Sequence, residues 1–227
     1  MVPGMRRATL RSYGLRALVF NLLALFALAL PAAAAAADRP VILAFGDSLT
    51  HGYGLAGPET FPVQLEQALA AQGIAAKVVN AGVSGDTSAG GLARLDWALS
   101  DPAGKPDLVI IELGANDALR GIDPASTEAN LDQILSRIEA QGIAVLLTGM
   151  KAPPNMGADY VAAFDAIFPR LAEKHRVAFY PFFLDGVAAD PALNQADGMH
   201  PNGAGVARIV DRITPAVISA LRQRNPA

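Results

Sequence analysis

The sequence predicts one α/β domain, an open parallel sheet of about five strands with helices on both faces, three layers in all and flavodoxin-like in outline. Three observations carry this reading. From residue 41 onward short apolar runs alternate with longer segments of helical period, the pattern of repeated βαβ units. The runs are continuous, as in Val41-Ile42-Leu43-Ala44-Phe45, and a strand without polar alternation is one buried on both faces. Polar residues able to do chemistry collect just after these runs, where a sheet wound by right-handed crossovers opens its ligand crevice.

Taken in order, a strand is expected over residues 41–45, a helix over 61–72 and a strand over 77–80. A helix over 89–99 and a strand over 108–113 follow, then a helix over 125–141 and a strand over 144–148. The last three elements are a helix over 158–174, a strand over 177–180 and a helix over 204–222. Ala71-Gln72-Gly73-Ile74-Ala75 and Ala140-Gln141-Gly142-Ile143-Ala144 are nearly identical, each putting glycine where a helix ends in a left-handed cap before a strand. We read them as shared cap chemistry rather than duplication. Glu112, an acid inside an apolar run, is expected to pair with a cation.

The chain has 227 residues, 52% of them hydrophobic, enough for one well-buried core. Its first 37 residues differ from the rest: Arg6, Arg7, Arg11 and Arg16 precede an apolar stretch from Ala17 to Leu30, and Pro31 with six alanines follows. That is the layout of a secretory signal peptide, with cleavage expected near Ala37 and residues 38–227 left as an exported domain, periplasmic or secreted, without a membrane anchor. Cleavage removes four of the 18 basic residues and none of the 21 acidic ones, leaving a net charge near −7. A surface of that sign repels phosphate backbones, so nucleic acid is not an expected partner. The absence of cysteine excludes disulfides, thiolate metal sites and a cysteine nucleophile. We expect no cofactor, no metal and a monomer.

Four loops, each after an expected strand or near the end of the chain, hold the candidate site. They are Gly46-Asp47-Ser48-Leu49, the stretch from Asn80 to Thr87, Gly114-Ala115-Asn116-Asp117, and Asp197-Gly198-Met199-His200-Pro201-Asn202. A hydrolytic serine needs a base, a group that orients the base, and donors for the developing oxyanion. The chain contains only three histidines. His175 sits in a charged helix end and reads as a solvated surface residue, while His51 follows Ser48 so closely that it reads as the rim of a cleft. His200 has Asp197 three residues before it, so one turn brings that carboxylate to Nδ1 and leaves Nε2 facing the serine. For the oxyanion, Ser48 N–H, Gly82 N–H and the Asn116 amide are the candidate donors.

In this order and spacing, Gly46-Asp47-Ser48-Leu49, Gly82, Gly114-x-Asn116-Asp117 and Asp197-x-x-His200 resemble the four blocks of the GDSL or SGNH hydrolase superfamily. Within it the chain is similar to the bacterial exported group of multifunctional acyl-CoA thioesterases, arylesterases and lysophospholipases. The resemblance implies Ser48 as nucleophile, His200 as base, Asp197 as its orienter, and Ser48, Gly82 and Asn116 as the oxyanion hole. It also implies a small-molecule ester or thioester of a short to medium acyl chain as substrate, hydrolysed through an acyl-enzyme. The loops after the third and fourth strands mix apolar residues with Gly and Pro, which suggests Leu119 and Met156 as substrate contacts. A carbohydrate acetylesterase on the same scaffold is the alternative. A dinucleotide-binding oxidoreductase is remote, because Gly52-Tyr53-Gly54-Leu55-Ala56-Gly57 matches the glycine fingerprint but does not open a helix directly after a strand.

Overall fold

The computed structural model describes Met1 and residues 39–100 and 104–224. The expected export signal and its cleavage zone, apart from Met1, lie outside the described residues. Five strands form one parallel sheet: β1 (Val41–Gly46), β2 (Lys77–Gly82), β3 (Leu108–Glu112), β4 (Ala144–Thr148) and β5 (Ala178–Tyr180), in the order β2-β1-β3-β4-β5. The chain leaves β1 outward to β2 and then crosses to β3 on the opposite side, so the order reverses beside β1 and a crevice opens at its carboxyl end. Register brings three strand ends level there, with Gly46 opposite Gly82 on one side and Glu112 on the other.

Eight α-helices, with two 3-10 turns at Gly57–Glu59 and Pro154–Met156, complete the described fold: α1 (Ser48–His51), α2 (Phe61–Ala71), α3 (Ser88–Leu99), α4 (Ala115–Leu119), α5 (Pro124–Glu139), α6 (Ala158–Asp165), α7 (Ile167–His175) and α8 (Gly203–Arg224). α2 packs against α8 on one face of the sheet, and α3, α5 and α7 lie side by side on the other. Central strands β1 and β3 are apolar and buried nearly throughout, with Phe45, Phe61, Phe164, Phe168 and Phe183 the largest fully buried side chains. Each such side chain contributes roughly 1.5–3 kcal/mol on burial. Both helices that end in the repeated Gln-Gly-Ile piece are closed as expected, with Gly73 and Gly142 at positive φ.

The expected helix over 158–174 is two helices. Pro169, third residue of α7, has no N–H for the carbonyl of Asp165 and its ring crowds that carbonyl, so α6 stops at Asp165 and the chain restarts at Ile167. α1 and α4, four and five residues long, are too short to leave a periodic signal in the sequence. Among the described residues no helix is long and apolar enough to cross a membrane.

His175 is not the solvated residue the sequence suggested. Its side chain is 7% exposed and is clamped between α7 and α5, with Nε2 bonded to Asp132 at 2.6 Å and Nδ1 to Glu139 at 2.8 Å. Carboxylates only accept, so satisfying both requires the imidazolium with a proton on each nitrogen. Burial opposes the charge, but the bonds to Glu139 and Asp132 outweigh it and raise the His175 pKa. A raised folded-state pKa gives stability that is fully present below the ordinary histidine range and is lost as pH rises through the folded value. His175→Gln should therefore lower Tm on the acid side by about 2–4 °C, the equivalent of roughly 1 kcal/mol in a domain of this size. Thermal melts of both proteins from weakly acid to alkaline pH should show the difference shrinking, and a pH-independent gap would contradict this account.

Candidate active site

The chain turns sharply at the end of β1. Asp47 caps α1 by accepting from Leu49 N–H at 3.0 Å, which makes Ser48 the first residue of that short helix. A helix start leaves backbone donors without partners, and Ser48 N–H has none among the described residues. The Ser48 hydroxyl points across the crevice to the loop that precedes α8. There His200 Nε2 lies 3.0 Å from Ser48 Oγ, and His200 Nδ1 lies 2.6 Å from Asp197 Oδ2. Because Asp197 can only accept, Nδ1 carries the proton and Nε2 is the acceptor facing the serine.

The Asp197-x-x-His200 turn closes on itself. Asp197 Oδ1 accepts from the backbone N–H groups of Met199 at 2.9 Å and His200 at 3.0 Å. Those bonds, with the imidazole on Oδ2, hold the Asp197 pKa down to about 2, so this partly exposed carboxylate stays ionised. Gln195, which the sequence reading did not single out, fixes the loop. Its N–H donates to His200 O at 2.7 Å, and its Nε2 donates to Tyr53 O at 2.7 Å and Pro201 O at 2.9 Å. Tyr53 in turn lays its ring 4.6 Å from that of His200. Two of the three glycines of the dinucleotide-like fingerprint have a structural duty here, since Gly52 caps the end of α1 and a Cβ at Gly54 would strike the Gln195 amide.

Asn116 stands in the first turn of α4, directly beyond β3, and donates from Nδ2 to Asp47 Oδ2 at 3.0 Å. An amide nitrogen has two hydrogens, so one remains for a ligand. Gly82 is corrected. Its N–H is already donated to Asn80 Oδ1 at 2.9 Å, and it lacks a side chain because a Cβ would meet the α1 backbone at His51 and Asp47. Further along the same loop, Gly85 has no hydrogen-bond partner for its N–H among the described residues, and its carbonyl accepts from Arg120 Nη2 at 2.7 Å just past the helix that carries Asn116.

Glu112 does not have the cationic partner expected of it. It pairs with no cation among the described residues, and accepts from Thr50 Oγ1 at 2.8 Å and Asp47 N–H at 3.3 Å. The cation near this end of the sheet is Arg94, which spans the loops: it pairs with Asp86, donates to Ala81 O and Gly46 O, and covers the Phe45 ring.

A cavity of about 220 Å³ adjoins Ser48, Asn116 and His200, and its walls include Leu119, Met150, Pro153, Leu184 and Met199. Leu119, expected as a substrate contact, lines this cavity. Met156 is not a wall residue; its terminal methyl lies over Gly121, behind the loop. A roomier hollow of about 450 Å³ lies beside Ala189, Asp190 and Gln195, but none of Ser48, Asp197 and His200 lines it.

A serine, a histidine and an aspartate in hydrogen-bonded series at the reversal point of a five-stranded parallel sheet define a serine hydrolase site. The GDSL-like Lipase/Acylhydrolase family matches residues 44–208, and the chain belongs to it. Esterase TesA of Pseudomonas aeruginosa is 41% identical over 181 residues, 80% of this chain and 89% of that protein. Thioesterase 1/protease 1/lysophospholipase L1 of Escherichia coli K12 is 43% identical over 178 residues, covering 78% of this chain and 82% of that one. Among solved structures, the SGNH-hydrolase family esterase AlinE4 is 50% identical with a TM-score of 0.69, covering 84% of this chain and 98% of that chain.

This geometry makes one hydroxyl different from the others nearby. Ser88 is buried and donates its hydroxyl to Asp117 at 2.5 Å, whereas Ser48 is the serine bonded to an imidazole among the described residues. A phosphonate ester should therefore label Ser48 and spare Ser84 and Ser88 in peptide mapping, and a label on either of the latter would remove the assignment.

Proposed function

We propose that this enzyme hydrolyses esters and thioesters of short to medium acyl chains through an acyl-enzyme on Ser48. The observation that carries the reading is the apolar cavity directly beside the Ser48–His200 pair. At about 220 Å³ it is smaller than the roughly 300–1,000 Å³ pockets that enclose drug-sized ligands, so it accommodates a modest acyl chain rather than a bulky one. The names of the relatives, an esterase and a thioesterase with lysophospholipase activity, support the same class of bond.

The chemistry follows from the atoms in place. Ser48 Oγ attacks the acyl carbon as its proton passes to His200 Nε2, and Asp197 balances the charge on the imidazolium. The tetrahedral oxyanion is held by Ser48 N–H, by the second hydrogen of Asn116 Nδ2, and by Gly85 N–H in place of Gly82. His200 then protonates the departing alkoxide or thiolate, and a water repeats the sequence to release the acid. In a crystal of the phosphonate adduct, the phosphoryl oxygen should lie within reach of Gly85 N–H and not of Gly82 N–H.

Preference among acyl chains should be graded, because the walls offer apolar surface and few polar groups able to reject a wrong chain. Each methylene buried gains up to about 0.8 kcal/mol, or roughly fourfold in kcat/KM, until the cavity is full. We expect kcat/KM for a series of aryl esters to rise over the first several carbons and then level or fall. Leu184→Trp, which fills the cavity from its wall, should reduce rates on the longer esters about tenfold more than on acetate, given those increments. Activity confined to acetylated sugars, with no gain on lengthening the chain, would favour the carbohydrate acetylesterase instead.

Export is part of the same proposal, on the charged, apolar and small-residue order of the first 37 residues. Intact mass of the protein recovered outside the cytoplasm should correspond to a chain beginning near Asp38, and a recovered chain that keeps Ala17 to Leu30 would refute cleavage.

A further inference from the structure

Among the described residues, Glu112 is the one buried side chain that the reaction scheme leaves unused and the core leaves with an unpartnered polar atom. It ends β3 beside Gly46 and is 0% exposed. Its Oε2 accepts from Thr50 Oγ1 and Asp47 N–H, whereas its Oε1, equally buried, has no hydrogen-bond partner among the described residues. The carboxyl group it meets is that of Asp47, also 0% exposed. Both Asp47 oxygens are already acceptors, Oδ1 from Leu49 N–H and Oδ2 from Asn116 Nδ2.

Two carboxylates can only accept from each other's neighbours, never from each other, and two buried like charges in contact do not both persist. One proton resolves both difficulties. Asp47 has a donor aimed at each oxygen and so keeps the charge, while Glu112 has the orphan oxygen and so takes the proton.

We infer that Glu112 is a protonated positioning residue, whose O–H on Oε1 donates to the Asp47 carboxylate and thereby fixes the acceptor that aims the Asn116 amide into the oxyanion hole. The inference rests on the reading of Asn116 as an oxyanion donor. Burial, reinforced by the charge of Asp47, pushes the Glu112 carboxyl well above the usual range, in the same sense as the geometry. Burial also lifts Asp47, to about 6, against the bonds from Leu49, Glu112 and Asn116 and the field of His200. The remaining groups around the pair are Thr50, which donates to Glu112, and Arg94, whose charge is engaged by Asp86 and by the carbonyls of Gly46 and Ala81.

The test combines a spectrum with kinetics. In infrared difference spectra at pH 8, wild type minus Glu112→Gln should show the C=O stretch of a protonated carboxyl. Glu112→Leu, confirmed folded by its melting curve, should lower kcat on a short aryl ester by about 10²-fold with KM little changed, as loss of an oxyanion donor does. Glu112→Gln, whose amide still donates to Asp47, should recover most of that loss. The double variant Glu112→Leu/Asn116→Ala should be no slower than Asn116→Ala alone, because both changes remove one interaction. Absence of the protonated band, or Glu112→Gln as slow as Glu112→Leu, would overturn the inference. Losses that multiply in the double variant would overturn the route through Asn116. If Asn116→Ala kept full kcat, the oxyanion reading itself would fall, an outcome separable from Glu112 protonation because the infrared band does not depend on turnover.

Discussion

The site depends on a carboxylate buried at the end of β1. Asp47 is 0% exposed, yet it takes part in bonds to three separate pieces of chain: Leu49 in α1, Asn116 in α4, and Glu112 at the end of β3 through its own N–H. Leaving such a group without partners costs several kcal/mol, so the bonds are in effect obligatory, and together they set where α1 begins. Where α1 begins decides where Ser48 points. Gly46 belongs to the same constraint: a Cβ there would fall within 2.6 Å of Glu112 and closer still to Thr50, so the network closes only over a glycine. The Gly-Asp-Ser order is thus a packing requirement, a hub and the serine that meets the imidazole, in three consecutive positions.

The Asn116 side of the crevice is built onto the sheet, and its loops are tied to each other. Arg94 joins the ends of β1 and β2 to Asp86, and Asp117, fully buried, accepts from Ser88 N–H, Ser88 Oγ and Thr127 Oγ1, which joins the starts of α3 and α5 to α4. Arg120 then holds the Gly85 carbonyl. These contacts leave Asn116 and the Gly85 loop little freedom, and a hydrogen-bond donor aimed in advance needs no reorganisation when charge develops in front of it. The His200 side is different. Asp197 and His200 come from a loop secured mainly by Gln195, by the Asn194–Pro201 bridge and by Tyr53.

What the sequence made legible follows the same division between local and distant information. Continuous apolar runs betrayed the buried strands, and residues placed just past them were bound to meet at one sheet edge, so Ser48, Asn116, Asp197 and His200 converge as expected. Asp197-x-x-His200 was readable because both partners lie within one turn. What failed needed contacts across the fold. Glycine in a strand-end loop advertises close approach, but at Gly82 the neighbour is the α1 backbone, while the unpartnered N–H is Gly85's. Glu112 announced itself by its charge in an apolar strand, yet nothing in the order of residues says that its neighbour is another acid. Met156 and Met150 sit six residues apart in one loop, and only the three-dimensional turn decides that Met150 faces Ser48 and Met156 does not. His175 looked like part of a solvated helix end because Asp132 and Glu139 belong to another helix.

The two aspartates show how one side-chain type is divided between two tasks. Asp197, partly exposed, is held down to about 2 by two backbone N–H groups and the imidazole, so it remains an anion beside His200. Asp47, fully buried, is lifted to about 6 by desolvation even with donors on both oxygens. Hydrogen bonds dominate in the first case and burial in the second, and environments that push like groups apart are how acid–base roles are assigned within a site. A carboxylate so close to protonation is a poor permanent anchor unless something else supplies the proton that the pair needs. Glu112 is that supplier: by carrying the proton itself, it lets Asp47 remain the acceptor for Asn116 at neutral pH, and the buried acid beneath the nucleophile becomes a support for the reaction.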